Sequence, residues 1–232
     1  MPLVEKMSVR VLGLFAVSLL VGARPHTTQS DFRRDFRLDP ADAVSTGRNR
    51  FFPLEPGYRL EFADGGQRLV VTVLPETLTI AGIVTRVVEE RETHDGALVE
   101  VSRNFFAMSR RTNDVYYFGE DVDIYKNGKV VNHEGAWRAG RGGARFGLMM
   151  PGDPKVGMRF YQELAEGLAM DRAEIASLAD SLRTPAGAFT NVLRIHETTP
   201  LEPGHRDVKR FAAGIGLVQD GSMRLVRYGK MP

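Results

Sequence analysis

Residues 81–93 read AGIVTRVVEERET, and residues 186–198 read AGAFTNVLRIHET. The two stretches align without gaps and share six identical residues. Upstream, Gly57-Tyr-Arg and Gly157-Met-Arg each open a β-prone segment, and downstream the residues 101–105 faintly resemble 208–211. Three matches in the same order predict an internal duplication, with two related halves of about 100 residues each.

Short runs rich in Val, Ile, Thr, Tyr and Phe begin at Phe51 and are separated by Gly, Pro, Asp and Asn. This pattern is typical of strands and turns. Asp95-Gly96, Asn127-Gly128 and Asp220-Gly221 predict hairpin turns, because these dipeptides accept positive φ angles. The predicted strands are 58–63, 67–74, 77–91, 97–110, 114–125, 129–133, 158–164, 172–183, 189–198, 206–212 and 215–227.

Residues 160–182 also allow a helix, because Leu164, Leu168, Ile175 and Leu182 can share one face. The duplication argues against that helix, since it aligns 172–183 with the strand-like stretch before Ala81. We therefore assign this segment to strand.

The predicted halves are residues 51–148 and 149–232, with the breaker-rich sequence MMPGDP at 149–154 marking their junction. Each half supplies about five antiparallel strands with one apolar face, and such a face must be buried. The sequence therefore predicts a mainly β fold. Its two antiparallel β-meander halves form a sandwich, a partly open barrel or a continuous curved sheet.

The amino terminus resembles a secretory signal peptide. Lys6 and Arg10 precede an apolar run that ends in small residues at Ala23. The run, residues 11–23, is shorter than the roughly 20 residues that a transmembrane helix needs, so we expect cleavage rather than a permanent membrane anchor. Residues 24–50 are polar and predict a flexible linker. The mature protein is then expected in the periplasm or outside the cell.

Composition excludes several classes of protein. The chain has 232 residues, of which 43% are hydrophobic and 26% are charged, as in ordinary folded proteins. Its 31 basic and 29 acidic residues leave a formal charge of only +2, so nucleic acid is not an expected partner. Cysteine is absent from the sequence, which removes disulfides, thiolate metal sites and a lipid-bearing cysteine.

Three segments carry a resemblance: TPAGAFTNVL at 184–193, ETTPLEPG at 197–204 and FAAGIGLVQDG at 211–221. They resemble motifs of uncharacterised, β-rich bacterial secreted or envelope proteins, a domain family of unknown function, over residues 51–226. Lys209-Arg210 departs from the more aromatic pair expected at that point. The resemblance implies an envelope β protein and brings no activity with it.

An acidic hairpin is the first candidate site. Glu120, Asp121 and Asp123 precede the Asn127-Gly128 turn, and His133 follows it. Carboxylates with an imidazole can bind a divalent metal ion, which would be the cofactor. Strand alternation points Glu120 away from the other two carboxylates. The alternative is a set of solvated charges beside a hairpin.

A second candidate site joins aromatic and basic residues. Tyr116 and Phe118 lie in the same β-prone run, and the only tryptophan, Trp137, opens a glycine-rich stretch. That stretch carries Arg138, Arg141 and Arg145. Arginines on glycine-rich backbone beside an aromatic ring can contact an anionic ligand. The alternative is a mobile connector between the halves.

The sequence lacks an HExxH motif and a Gly-x-Ser-x-Gly elbow, so it offers no catalytic assignment. We expect a non-enzymatic binding or structural module of the cell envelope. Its partner would be a lipid-like or small ligand, or an envelope protein. The alternative is a metal-binding or metal-dependent protein that uses the acidic hairpin, and an unrecognised hydrolase is a third interpretation.

Overall fold

The computed structural model describes residues 32–230. The predicted signal peptide and the first part of the predicted linker lie outside the described residues. Within 32–230, no helix is long and apolar enough to cross a membrane. The strands are β1 (Ala43–Val44), β2 (Gly47–Asn49), β3 (Phe52–Leu54), β4 (Tyr58–Asp64), β5 (Gln67–Ile80), β6 (Ile83–His94), β7 (Ala97–Ser109), β8 (Val115–Lys126), β9 (Lys129–Asn132), β10 (Trp137–Arg138), β11 (Arg145–Met150), β12 (Arg159–Tyr161), β13 (Glu163–Leu164), β14 (Arg172–Thr184), β15 (Gly187–Thr198), β16 (Asp207–Ala212), β17 (Gly216–Asp220) and β18 (Met223–Lys230).

One large antiparallel sheet forms most of the fold, in the order β12-β14-β15-β16-β17-β18-β4-β5-β6-β7-β8-β11-β13. Pairing of β18 with β4 joins the two meanders. The chain segment 159–164 reaches both ends of the sheet, because β12 pairs with β14 and β13 pairs with β11. The sheet is thus nearly closed into a barrel with one unsealed seam, and the predicted mainly β fold is confirmed.

The seam is bordered by the described amino terminus. The Arg33 amide donates a hydrogen bond to the Arg159 carbonyl at 3.0 Å, and the Tyr161 amide donates one to the Arg33 carbonyl at 3.0 Å. Next to this bridge, the Phe32 ring lies 4.5 Å from the Arg172 guanidinium and 6.0 Å from the Tyr161 ring. The free edge of β12 is therefore covered by a short stretch of the chain itself.

The two meanders begin in the same way. Gly57 and Gly157 both adopt positive φ angles, of 82° and 87°. The Gly57 amide donates to the Val73 carbonyl in β5, and the Gly157 amide donates to the Ile175 carbonyl in β14, both at 2.8 Å. Each glycine thus bonds the start of its meander to the first strand of the long hairpin that follows, which is β5 for Gly57 and β14 for Gly157. The internal duplication stays a prediction that agrees with this arrangement.

Most predicted turns are present. Asp95-Gly96 and Asn127-Gly128 connect β6 to β7 and β8 to β9 with positive φ angles, as predicted. The predicted strand 77–91 is wrong, because β5 ends at Ile80 and β6 begins at Ile83. Ala81 and Gly82 form the turn there, with φ of 49° and 80°. Alanine rarely adopts a positive φ angle, so this turn carried no signal. The last predicted strand, 215–227, is likewise two strands, β17 and β18, which are joined at the predicted Asp220-Gly221 turn, where Gly221 has a φ angle of 55°.

The segment 160–182 contains no helix and supplies β12, β13 and most of β14, in agreement with the strand assignment. Alternation along the strands sends one row of side chains into the barrel. The interior is packed with large apolar side chains that are almost completely buried, including Phe62, Leu69, Ile195 and Leu225. The opposite rows face outward and hold most of the ion pairs.

Residues 32–50 belong to the predicted flexible linker, but they pack on the barrel together with residues 51–54. The β2–β3 hairpin lies across one end: the Asn49 side-chain Nδ2 donates to the carbonyls of Asn113 and Pro151, and the Gly214 backbone amide donates to the Arg50 carbonyl. Phe51 and Leu54 are fully buried. These apolar side chains explain why the segment folds despite its polar composition.

Arg86 fixes the entry to this hairpin. Its side chain is only 7% exposed and lies on β6. Its guanidinium donates to the Ser45 carbonyl at 3.0 Å, the Thr46 hydroxyl at 2.6 Å and the Pro75 carbonyl at 2.5 Å. Burial lowers the pKa of Arg86, although the charge is held by this ring of oxygens. The contacts tie the amino-terminal segment to the bulge in β5.

Candidate functional site

An open pocket of about 400 Å³ lies on the outside of the barrel, where β8, β10 and the glycine-rich loop after β10 meet. Such a volume lies in the range of small-ligand sites. The side chains that define it are Asp121, Trp137, Arg138, Arg141, Glu166 and Leu168. Three of them, at 137, 138 and 141, belong to the predicted ligand-binding set.

Gly119 allows the strands around this pocket to approach each other. Trp137 pairs with Glu120 and Arg138 pairs with Gly119. At Gly119 the φ angle is 125°, and a Cβ atom there would lie 2.2 Å from the Trp137 carbonyl oxygen. Only glycine fits such a contact without displacing β10. The pocket therefore depends on this residue, which the sequence analysis did not single out.

Arg138 forms one wall of the pocket. Its guanidinium donates to both carboxylate oxygens of Asp121 and lies 4.5 Å from the centre of the Phe105 ring. The carboxylate and the aromatic face hold the planar group in one orientation. Arg138 thus presents a fixed positive charge that is already partly neutralised.

Arg141 contributes the free charge. It follows β10 in an exposed turn, in which the Arg141 amide donates to the Arg138 carbonyl at 3.2 Å. Its guanidinium has no ion pair within residues 32–230. Glu166, which lines the pocket together with Asp121, is paired with Arg34 at 3.2 Å. The pocket therefore contains one guanidinium that is available to an anion.

The remaining lining is apolar. Ala136, Ala144 and Ala165 form part of the wall, and Leu168 leaves 41% of its surface exposed beside them. An exposed leucine in a concave site is free to contact a hydrocarbon group. The pocket thus combines an apolar side with a positive charge.

The other predicted ligand-binding residues lie elsewhere. Tyr116 and Phe118 pack against Phe146 at ring distances of 5.6 and 4.8 Å, inside the protein. Burial raises the pKa of Tyr116 to about 12. Arg145 is exposed and pairs with Asp35 at 3.1 Å. These three side chains support the fold around the site rather than line the pocket.

The predicted metal ligands are only partly brought together. Asp123 and His133 are 3.0 Å apart, whereas Asp121 pairs with Arg138 and Glu120 is buried on the other face of β8. His133 Nδ1 lies 2.8 Å from the Val122 carbonyl and 3.0 Å from the Asp123 carboxylate, so this nitrogen is directed at two acceptors of the fold. Within the described part of the chain, no three His, Asp or Glu side chains are grouped as a metal site.

A charged cluster inside the barrel was missed by the sequence analysis. Glu92 on β6 pairs in register with buried Leu69 and with Glu100, so both carboxylates face the interior. Lys209 on β16 pairs with buried Ile195 and with Asp220, so these two charges face the interior from the other side. These residues lie more than 100 positions apart in the sequence and form one charged cluster.

Lys209 is the counter-ion of the carboxylates in this charged cluster. Its ammonium lies 2.8 Å from the Glu197 carboxylate and 3.9 Å from that of Asp220. Burial opposes its charge, but these carboxylates outweigh burial and raise the pKa of Lys209 well above its usual value. About a quarter of the side-chain surface of Lys209 and of Asp220 remains exposed, so solvent reaches the charged cluster.

Glu92 is a second titratable group of the charged cluster. Burial raises its pKa to about 8, and the neighbouring carboxylates of Glu100, Glu90 and Asp220 add to that shift. A group of this kind binds a proton in the neutral range. The four consecutive charged residues at 89–92 on β6 are the signal that could have identified it, because neighbouring residues of a strand point to opposite faces. Which of them face the core was not assignable from one strand.

No protein-family model matches this chain, and no match was found among curated proteins or solved structures.

Proposed function

We propose that this chain is an exported, non-enzymatic binding module of the cell envelope, and that the pocket beside Trp137 binds an amphipathic anion such as a lipid-like carboxylate. The observation that carries the proposal is the unpaired guanidinium of Arg141 next to an apolar wall. The apolar side chains would contact the hydrocarbon part of the ligand, and Arg141 would bind its charged end.

The ion pairs of the pocket leave one positive charge unpaired, which suits a ligand with one anionic group. Arg138 is engaged by Asp121, and Glu166 is engaged by Arg34, so Arg141 supplies the unmatched charge. A carboxylate that approaches Arg141 can accept two parallel hydrogen bonds. The open shape leaves room for a chain that extends along Leu168.

Export is a further part of the proposal. It rests on the order of charged, apolar and small residues at positions 1–23, which is typical of a signal peptide.

Isothermal titration of the mature chain, residues 24–232, with dodecanoate tests the binding proposal. We expect Arg141→Gln to weaken binding about tenfold or more, since a hydrogen bond to a charged group contributes roughly 1.5–3 kcal/mol. Arg145→Gln is the matched control, because that arginine lies four residues further along the chain, at the start of β11, but pairs with Asp35. Equal affinities for the parent chain and Arg141→Gln would contradict the proposal.

Native mass spectrometry of the chain purified from the envelope fraction identifies the natural occupant. A bound mass that matches an acidic amphiphile supports the proposal. A divalent ion that is lost on Asp123→Asn would favour the metal-binding alternative instead.

A further inference from the structure

A row of arginines crosses the outer face of four adjacent strands in the second half. Arg194 on β15 pairs with Arg210 on β16, Arg210 pairs with Gln219 on β17, and Gln219 pairs with Arg224 on β18. Neighbouring strands lie about 4.8 Å apart, so the row spans roughly 14 Å. Positively charged residues at directly opposed positions destabilise a sheet unless an anion compensates them.

All members of the row point out of the barrel. Their sequence neighbours Leu193, Ile195, Phe211 and Leu225 are buried in the core. Because side chains alternate along a strand, the arginines lie on the opposite face. Arg210 and Arg194 keep 20% and 33% of their side-chain surfaces exposed, so the row is recessed but accessible.

The protein supplies one carboxylate for this row. Asp180 lies 3.5 Å from Arg194 and 3.3 Å from Arg210 through the same oxygen, and Arg210 also donates to Gln219 at 2.6 Å. Burial disfavours its charge, but the Ser177 hydroxyl and the two guanidiniums lower the pKa of Asp180. One acidic group is therefore shared between two arginines.

Arg224 is the unmatched member. Its Nη1 atom is buried and has no hydrogen-bond partner within residues 32–230, and its guanidinium forms no ion pair there. A guanidinium carries five donors and no acceptor. A buried donor without an acceptor is costly, and a bound oxyanion would remove that cost.

A nearby histidine reports the excess of positive charge. His196 lies two residues beyond Arg194 on the same face of β15. Burial lowers the pKa of His196, and the charges of Arg206, Arg194 and Arg210 lower it further, against the opposing effect of Glu174. Glu174 itself is paired with Arg159 at 3.1 Å. Three arginines and one paired carboxylate therefore act on His196.

We propose that the row formed by Arg194, Arg210 and Arg224 is a binding site for a phosphate-class oxyanion, carried either by a free phosphate or by the headgroup of an anionic lipid. Arg210 and Arg224 flank Gln219 and would hold the anion from two sides. Gln219 positions Arg210 through its side-chain oxygen. The site lies on β15–β18 and is independent of the pocket beside Trp137.

Titration of the mature chain with inorganic phosphate tests the site, with cosedimentation on phosphatidylglycerol and phosphatidylcholine vesicles as the second arm. We expect Arg224→Gln to weaken anion binding at least tenfold in whichever arm shows it. Asp180→Asn should strengthen it severalfold, because it releases Arg194 and Arg210 from their internal carboxylate. A gain of affinity cannot come from damage to the fold.

Arg227→Gln is the control, since Arg227 lies on the same strand but already pairs with Glu61 at 2.6 Å. Binding of phosphate with this pattern of variants supports a free-anion site. Binding confined to phosphatidylglycerol vesicles with the same pattern supports a lipid-headgroup site. Binding in neither arm, or binding unaffected by both Arg224→Gln and Asp180→Asn, would overturn the proposal.

Discussion

Replacement of Arg86 by methionine should detach the amino-terminal segment from the barrel. Arg86 makes three hydrogen bonds of 3.0 Å or less, to Ser45, Thr46 and Pro75, and is almost completely buried. Each bond to a charged group contributes roughly 1.5–3 kcal/mol, but burial of the charge offsets part of that sum. Methionine keeps the length and leaves the carbonyl groups without a donor. We expect a loss of about 3 kcal/mol in the free energy of unfolding.

Urea denaturation followed by circular dichroism measures this loss. Arg103→Met is the control, because Arg103 is 42% exposed and pairs with Glu89 and Asp123 on the surface, so it should cost less than about 1 kcal/mol. Trypsin supplies a second readout, since Arg48 and Arg50 lie in the segment that Arg86 holds. Faster cleavage there is expected for Arg86→Met. Equal stability and equal cleavage in the two variants would refute the clamp.

Two further changes test other parts of the structure. Burial holds Glu92 protonated in the folded state up to about pH 8, so between its ordinary pKa near 4.5 and pH 8 the folded protein binds the extra proton and stability falls as pH rises. Glu92→Gln should therefore gain stability over the parent, on the order of 3 kcal/mol more at pH 8 than at pH 5. Glu89→Gln on the outer face should not gain stability, because Glu89 is paired with Arg103. A pH-independent difference in urea midpoints between Glu92→Gln and the parent would contradict this. Gly119→Ala should lower the free energy of unfolding by roughly 2–4 kcal/mol, because the new Cβ would meet the Trp137 carbonyl oxygen. Gly128→Ala, at a positive φ angle in open space, should lower it by only about 1 kcal/mol. Equal losses, together with an unchanged Trp137 emission spectrum, would show that close approach at Gly119 is not required.

Local patterns predicted the β class and the turns at Asn127-Gly128 and Asp95-Gly96, because these dipeptides encode their own backbone geometry. The Ala81-Gly82 turn was hidden, since the register of β5 and β6 imposes the positive φ on alanine. Composition misassigned residues 32–50, because a few buried contacts outweigh a polar average. These buried contacts depend on the tertiary structure, which the composition of a segment does not reveal.

The residues of the candidate site also differ in how far the sequence alone predicts them. Trp137, Arg138 and Arg141 were grouped because they are close in sequence, and the structure keeps them together. Leu168 and Glu166 reach the pocket from another part of the chain, and no short-range pattern connects them. The proximity of Lys209 to Glu92, and the alignment of Arg194, Arg210 and Arg224 in one row, likewise require knowledge of strand order, which a single sequence does not contain.

The pairing of β18 with β4 also constrains the order in which this chain folds. Lys230 lies opposite Tyr58 and Arg224 lies opposite Ala63, so the junction joins residues more than 160 positions apart. The first meander can form as soon as β8 has emerged, but β4 keeps an open edge until the final strand arrives. An open edge is a template for pairing with another chain. Assembly is therefore most vulnerable to aggregation just before completion, and removal of the last eight described residues would leave that vulnerability permanent.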